Sequence, residues 1–210
     1  MSRVIVAQEQ VNANVNHLIT VDLDAQSTVE EVGTVPAAVA ATCVATEYGD
    51  SLIHKTVLTC TSMPISVADD AGVAQYGGVK VYTMPKGLIA SLGGMISGNL
   101  TMGVTGTFID AFTGVNALGT VTATTGATLV AGEATWLQEV ANATAATKVA
   151  ALKSVSIATQ LTETSARIFD GTVTAAPVFF NVAIADDVTH TAGTGTFTGT
   201  ITLVWLKVAS

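Results

Sequence analysis

The stretch TGTFTGTITLVWLK, residues 194–207, alternates between two kinds of side chain and constrains the fold more than any other part of the chain. Even positions from 194 to 202 carry threonine, whereas Phe197, Ile201, Leu203 and Trp205 stand at odd positions. Successive side chains of a strand point to opposite faces, so this pattern predicts a half-buried antiparallel strand with the apolar residues on the core face. Charged side chains commonly protect exposed strands from sticking together, yet the predicted outer face carries none.

Further strand-like runs separated by turn residues predict an all-β fold, which we interpret as an antiparallel β-sandwich of the jelly-roll type. Residues 37–46 and 52–62 predict a hairpin closed by EYGDS, and the loop DDVTHTAG predicts a hairpin that joins the strand VFFNVAIA to the opening stretch. The expected domains are an N-terminal arm plus hairpin over 1–62, with the arm extended, and a β-sandwich over 63–210.

Two segments interrupt the strand pattern. In EATWLQEVANATAATKVAALK, residues 133–153, the apolar residues Trp136, Leu137, Val140 and Ala141 stand at helical spacing and predict one short helix. The uncharged residues 87–109 are long enough to suggest a membrane span. Their glycines instead favour two strands and a turn, centred on Gly93 and Gly94.

The charge of the chain excludes two classes of partner. Charged residues make up only 11% of the sequence, and the formal net charge is −8. Binding to nucleic acid requires lysine and arginine to neutralise phosphates, and docking on an anionic membrane requires basic residues as well. We therefore expect neither a nucleic acid nor a membrane as partner.

The two cysteines, Cys43 and Cys60, are too few for a disulfide framework. A turn centred on residues 48–50 would place Cys43 opposite residue 55 rather than opposite Cys60. The first residues also lack the apolar run of a secretion signal. These observations favour buried free thiols over a disulfide bond.

The sequence contains no recognisable catalytic apparatus. It has neither a nucleophile elbow nor a P-loop, and none of its three histidines stands at metal-ligand spacing from another histidine or a cysteine. The loop residues Asp186, Asp187 and His190 are the metal candidates, and aspartates in such loops commonly cap their own backbone instead. We expect no catalytic residue, no cofactor, no metal and no enzyme activity.

Three segments resemble virion structural proteins of tailed bacteriophages, and most of all the small head decoration, or cement, proteins. They are GGVKVYTMPKGLIASLGG, EATWLQEVANATAATKVAA and LTETSARIFDGTVTAAPVFFNVAIADD, and the resemblance covers roughly residues 77–208. It implies a compact β domain that is often oligomeric about a local symmetry axis and that binds the outside of a capsid. No functional residues carry over, because the group has no site motif.

The resemblance suggests what the neutral threonine face meets. A neutral face can be buried against another subunit without desolvating charges, which is costly unless they are paired. The interface candidates are Thr196, Thr198, Thr200, Thr202, Glu30 and Glu31.

The expected partners are a major capsid protein and further copies of the chain, with a homotrimer favoured and a dimer as the alternative. The expected location is the capsid exterior, after synthesis in the host cytoplasm. Three alternatives stay open, namely another virion role as a fibre, tail or receptor-binding module, an ice-binding protein, and a carbohydrate-binding or hydrolytic β-sandwich.

Overall fold

The computed structural model describes residues 32–49, 53–70, 74–103, 113–124, 128–141, 149–156, 168–185 and 193–209. The described chain forms a single ten-stranded sheet in which every strand pair is antiparallel, so the prediction of an all-β antiparallel fold is confirmed. The strands are β1 (Cys43–Gly49), β2 (Ile53–Asp70), β3 (Ala74–Thr83), β4 (Leu88–Gly103), β5 (Thr113–Gly119), β6 (Leu137–Ala141), β7 (Val149–Ser156), β8 (Ile168–Asp170), β9 (Pro177–Ala185) and β10 (Gly193–Ala209).

The sheet is strongly curled into a half-barrel that encloses the core. Its strand order is β6-β5-β9-β3-β2-β10-β4-β7, while β1 pairs with β2 and β8 pairs with β4. The curl brings β6 and β7, the two ends of this path, into contact. Across the interior, the ring of Phe180 on β9 packs against that of Phe197 on β10, with ring centroids 4.8 Å apart. One apolar cluster therefore joins the facing walls.

The curl overturns one predicted pairing. The sequence places β9 and β10 next to each other in the chain, and we predicted that they form a hairpin. They are not neighbours in the sheet, because β9 lies between β3 and β5 whereas β10 lies between β2 and β4. The two strands instead face each other through their buried aromatic side chains.

The predicted pairing of the two segments within residues 37–62 is confirmed, but residues 37–42 form turns, and the first strand begins at Cys43. β1 pairs with β2 so that Cys43 lies opposite Cys60 and Gly49 lies opposite His54. The register is therefore centred between positions 51 and 52, whereas we predicted a centre at residue 49. Cys43 and Cys60 form a disulfide bond, with their Cα atoms 4.2 Å apart, so the prediction of free thiols is wrong.

The short helix predicted over residues 133–153 is also wrong, because two stretches of that segment form the strands β6 and β7. The sole helix in the described ranges is the three-residue 3₁₀ helix Ala131–Glu133. The indole of Trp136 donates a hydrogen bond to the Pro177 carbonyl and stacks on Phe169, with centroids 3.7 Å apart. These long-range contacts, together with pairing of β6 to β5, override the local helical spacing.

The carboxylate of Glu133 holds the loop that precedes β6. It accepts hydrogen bonds from the backbone N–H groups of Thr124, at 2.7 Å, and Val130, at 3.0 Å. The buried side chain of Asn181 on β9 donates to the carbonyls of Val121 and Glu133, both at 2.8 Å. The loop is thereby fixed to the sheet by fully satisfied buried polar groups.

Residues 88–103 form one long strand, so the turn predicted at Gly93 and Gly94 is absent. Gly94 is required where it stands because a Cβ atom there would lie 2.6 Å from the Thr202 carbonyl oxygen of β10. The glycine thus permits close strand pairing rather than chain reversal. Within the described ranges, no helix is long and apolar enough to cross a membrane.

The described chain begins beside β3. Thr34 and Thr83 exchange two backbone hydrogen bonds of 2.9 Å each, and residues 1–31 of the predicted arm lie outside the described residues. β2 runs without a break through the predicted domain boundary between residues 62 and 63.

Candidate functional site

The threonine row predicted from the sequence lies on the outer side of a central strand. β10 pairs with β2 on one side and with β4 on the other. Phe197, Ile201, Leu203 and Trp205 are at most 1% exposed, whereas the threonines from 194 to 202 are exposed or half-buried. The assignment of the two faces is therefore confirmed.

Strand pairing extends this row sideways into a broad surface. Thr59 of β2 and Ser97 of β4 flank Thr200, and Val57 and Met95 flank Thr202. We call this surface the threonine face and define it by the exposed or half-buried outer residues of β10 between 194 and 202, those that flank them on β2 and β4, and two residues of β1. These are Val44, Thr46, Val57, Thr59, Thr61, Ser62, Pro64, Ser66, Met95, Ser97, Asn99, Thr101, Thr194, Thr196, Thr198, Thr200 and Thr202.

The threonine face carries hydroxyl and apolar groups, the carboxamide of Asn99 and no charge. The nearest charged side chain on the same side of β2 is exposed Lys55, whose ammonium nitrogen lies 5.5 Å from the centre of the Tyr48 ring. Hydroxyl groups both donate and accept hydrogen bonds, so they can satisfy a polar partner surface in either sense. The arrangement is suited to burial against another protein surface.

A β-bulge shapes the middle of this face. Cys60 lies opposite Gly199 and Met63 opposite Phe197, so Thr61 and Ser62 together oppose Thr198. Ser62 adopts a φ of 51°, and its backbone N–H donates a 2.9 Å hydrogen bond to the hydroxyl of Thr198. The bulge changes which positions of β2 face the core, from even residues before it to odd residues after it.

We expect Thr198→Val to lower the free energy of unfolding by about 0.5–1 kcal/mol, because the bulge N–H loses its acceptor. Thr196→Val is the matched control, since Thr196 lies opposite Pro64, which has no N–H to donate. Urea denaturation of both variants measures the difference. Equal losses in the two variants would contradict a specific role for the Thr198 hydroxyl.

A second polar cluster lies on the core side, beneath one end of the threonine face. The Thr56 hydroxyl donates to both carboxylate oxygens of Glu47 at 2.8 Å and accepts a 2.9 Å hydrogen bond from the Trp205 indole. The hydroxyl of Tyr82 also donates to Glu47. The ring of His54 stacks on Trp205, with centroids 3.9 Å apart. The sequence pattern did not reveal this cluster, although the parity of β1 places Glu47 on the same face as Cys43.

Burial raises the pKa values of both acidic groups in this cluster. It raises the pKa of the Glu47 carboxyl, and the hydrogen bonds from Tyr82 and Thr56 offset part of that rise. Burial, followed by the neighbouring Glu47 carboxylate, also raises the pKa of Tyr82, which keeps its hydroxyl protonated as a donor.

A pH titration of stability should reveal the Glu47 carboxyl. Because its folded pKa is raised, its stabilising contribution is complete below the unfolded pKa, about 4.3, and is lost as pH rises through the folded value. We expect the unfolding free energy of the wild type relative to Glu47→Gln to fall over that window. The unfolding free energy of the wild type relative to Asp170→Asn should instead rise with pH, because hydrogen bonds from Thr172 lower the pKa of Asp170. If the unfolding free energy of the wild type relative to Glu47→Gln rises with pH, the raised pKa assigned to Glu47 is contradicted.

The structure does not describe the other sequence-based candidates. Asp186, Asp187 and His190, as well as Glu30 and Glu31, lie outside the described residues. In the part of the chain that is described, no cluster of three or more histidine, cysteine or acidic residues could hold a metal ion. Comparisons with protein-family models, curated proteins and solved structures find no match to the chain.

Proposed function

We propose that this chain is a structural virion protein that binds the outside of a bacteriophage capsid and cements neighbouring capsid subunits against internal pressure. The observation that carries the proposal is the uncharged threonine face, which spans four adjacent strands. Burying it displaces water from uncharged groups alone, so binding incurs no cost for desolvating charge.

The architecture supports a mechanical role. The threonine face is backed by the buried side chains of β10, and the disulfide bond ties β1 to β2 beneath it. A surface built on hydrogen-bonded strands is more rigid than one built on loops, so it loses little entropy on binding. The two facing walls of the curled sheet are compatible with the proposed jelly-roll type of β-sandwich.

The proposed partners are the major capsid protein and other copies of this chain. The resemblance to decoration proteins favours a homotrimer over a dimer. Several weak contacts to one capsid lattice combine through high effective concentration. The N-terminal residues, including Glu30 and Glu31, are proposed to provide an additional contact to a neighbouring subunit.

Co-sedimentation with capsids assembled from the major capsid protein of the same genome tests the proposal. The wild type should sediment with the capsids, and Thr59→Lys combined with Thr200→Lys should bind at least ten-fold more weakly, which corresponds to about 1.4 kcal/mol. The reason is that the lysines would be buried without partners. Val173→Lys is the matched control, because Val173 lies outside the threonine face and is 85% exposed.

Two outcomes would contradict the capsid role. If the double lysine variant and the control bind capsids equally, the threonine face is not the surface that contacts the capsid. Sedimentation of the wild type with tails or fibres but not with capsids would favour another virion component.

A further inference from the structure

β1 is an edge strand without the usual protection against further pairing. It pairs with β2 from end to end in an unbroken register, and no strand pairs with its other edge in the part of the chain that the structure describes. Proteins commonly block such edges with lysine, proline or a bulge. The sequence of β1, CVATEYG, contains neither lysine nor proline, and its one charged residue, Glu47, is bonded to Thr56 and Tyr82 on the core side.

The hydrogen-bonding phase of β1 identifies which backbone groups point outward. Cys43 and Cys60 have the short Cα separation of 4.2 Å that is typical of a non-hydrogen-bonded pair. The adjacent hydrogen bond from Thr61 N–H to the Thr42 carbonyl, at 2.7 Å, gives the same phase. Residues 44, 46 and 48 therefore bond to β2, while the N–H and C=O groups of Ala45 and Glu47 point to the open edge.

The outward side chains of β1 are themselves uncharged. Val44 is 64% exposed and Tyr48 is 37% exposed, and both point to the outer side of the sheet with half-buried Thr46 between them. Lys55 of β2 lies opposite Tyr48, and its ammonium nitrogen is 5.5 Å from the centre of the Tyr48 ring. An exposed valine and an exposed tyrosine on one edge strand form a good cross-strand pair when an antiparallel partner is placed beside them.

We propose that β1 pairs with β1 of a second copy of this chain, antiparallel and about a two-fold axis at Thr46. This register places Ala45 opposite Glu47 of the other copy, so the outward backbone groups of both strands meet in phase. It also places Val44 opposite Tyr48 on each side of the axis. The edge is thus complementary to itself, as a two-fold contact requires.

This self-complementarity identifies the strand that pairs with the open edge as β1 of a second copy. A register shifted by one residue in either copy would place outward backbone groups opposite groups that already bond to β2. A register shifted by two residues would bring the outward backbone groups back into phase but would separate Val44 from Tyr48. The centred register alone satisfies both the backbone and the side chains, and it joins the threonine faces of two copies into one neutral surface. The inference rests on the self-association in the proposed function, takes its second alternative, a two-fold contact, in place of the favoured trimer, and does not require capsid binding.

Sedimentation velocity of the full chain over a range of concentrations tests the contact itself. We expect the wild type and Val173→Lys to form dimers of equal affinity, and Val44→Lys to dimerise at least ten-fold more weakly, because its ammonium would lie beside Tyr48 of the other copy, whose ring already holds the Lys55 ammonium, and the two like charges would repel each other. Val44 is largely exposed, so this substitution should leave the unfolding midpoint unchanged. A monomeric wild type, or equal affinities for all three proteins, would overturn the proposal.

Cysteine cross-linking tests the register. Thr46→Cys would place two thiols across the axis at a non-hydrogen-bonded position, where the Cα atoms lie about 4.5 Å apart, within disulfide range. Mild oxidation should cross-link Thr46→Cys at least ten-fold more than Thr59→Cys, which lies on the same face one strand further in. Equal cross-linking would overturn the register. Pairing of the edge with residues 1–31 would leave Thr46→Cys uncross-linked and would also overturn it, whatever the capsid experiment shows.

Discussion

Trp205→Ala should lower the free energy of unfolding by about 3–5 kcal/mol, the range observed when a large buried aromatic residue is truncated. Trp205 is fully buried on β10. Its ring stacks on His54 with an interplanar angle of 5°, and its indole N–H donates to the Thr56 hydroxyl. Truncation would leave a cavity and remove a donor from the hydrogen-bonded cluster at Glu47.

Denaturant unfolding with matched variants separates these contributions. Trp205→Phe keeps most of the ring volume but loses the N–H, so its loss should be smaller than that of Trp205→Ala. Thr200→Ala, on the opposite face of the same strand, should cost little in the free subunit. An unchanged midpoint for Trp205→Ala would contradict the assignment of this face to the core.

Removal of the disulfide bond should lower the free energy of unfolding by about 3 kcal/mol, as expected for a closed loop of this length. Cys43 and Cys60 are separated by 17 residues and tie β1 to β2 beside the threonine face. The double variant Cys43→Ala with Cys60→Ala avoids burying new hydroxyl groups. Its unfolding curve, compared with that of the wild type under non-reducing conditions, measures the loss.

Two controls establish whether the loss comes from the bond itself. A reductant should shift the wild type towards the double variant and leave the double variant unchanged. Thiol titration of the denatured wild type should detect no free thiol. Two free thiols, together with a wild-type midpoint that does not respond to reductant, would restore the prediction of buried free cysteines.

The local pattern predicted the threonine face well, because alternation is a property of the strand itself. Phe197 and Trp205 had to share one face and Thr198 and Thr200 the other, whichever strands lay beside them. The disulfide bond was not predictable in the same way. The bond forms because the register of β1 and β2 places Cys60 opposite Cys43. The sequence predicted a turn centre nearer the N-terminus, and a shift of that centre changes which residue lies opposite Cys43.

The Glu47 cluster and the β1–β2 bulge required the tertiary structure for a different reason. Glu47, Tyr82 and Trp205 lie far apart in the chain, and strand parity alone does not show which core-facing groups meet. The bulge at Thr61 and Ser62 exchanges the inner and outer positions of β2, and its sequence carries no glycine to mark it.

By itself, the sequence determined the all-β class, the low charge and the two faces of β10, because these follow from composition and from the two-residue period of a strand. Only the tertiary structure decided that β9 and β10 face each other rather than pair, and that residues 137–141 form a strand rather than a helix. The physical reason is the curl of the sheet. It buries Phe180 against Phe197 and Trp136 against Phe169, contacts whose free energy outweighs the local preferences of either segment.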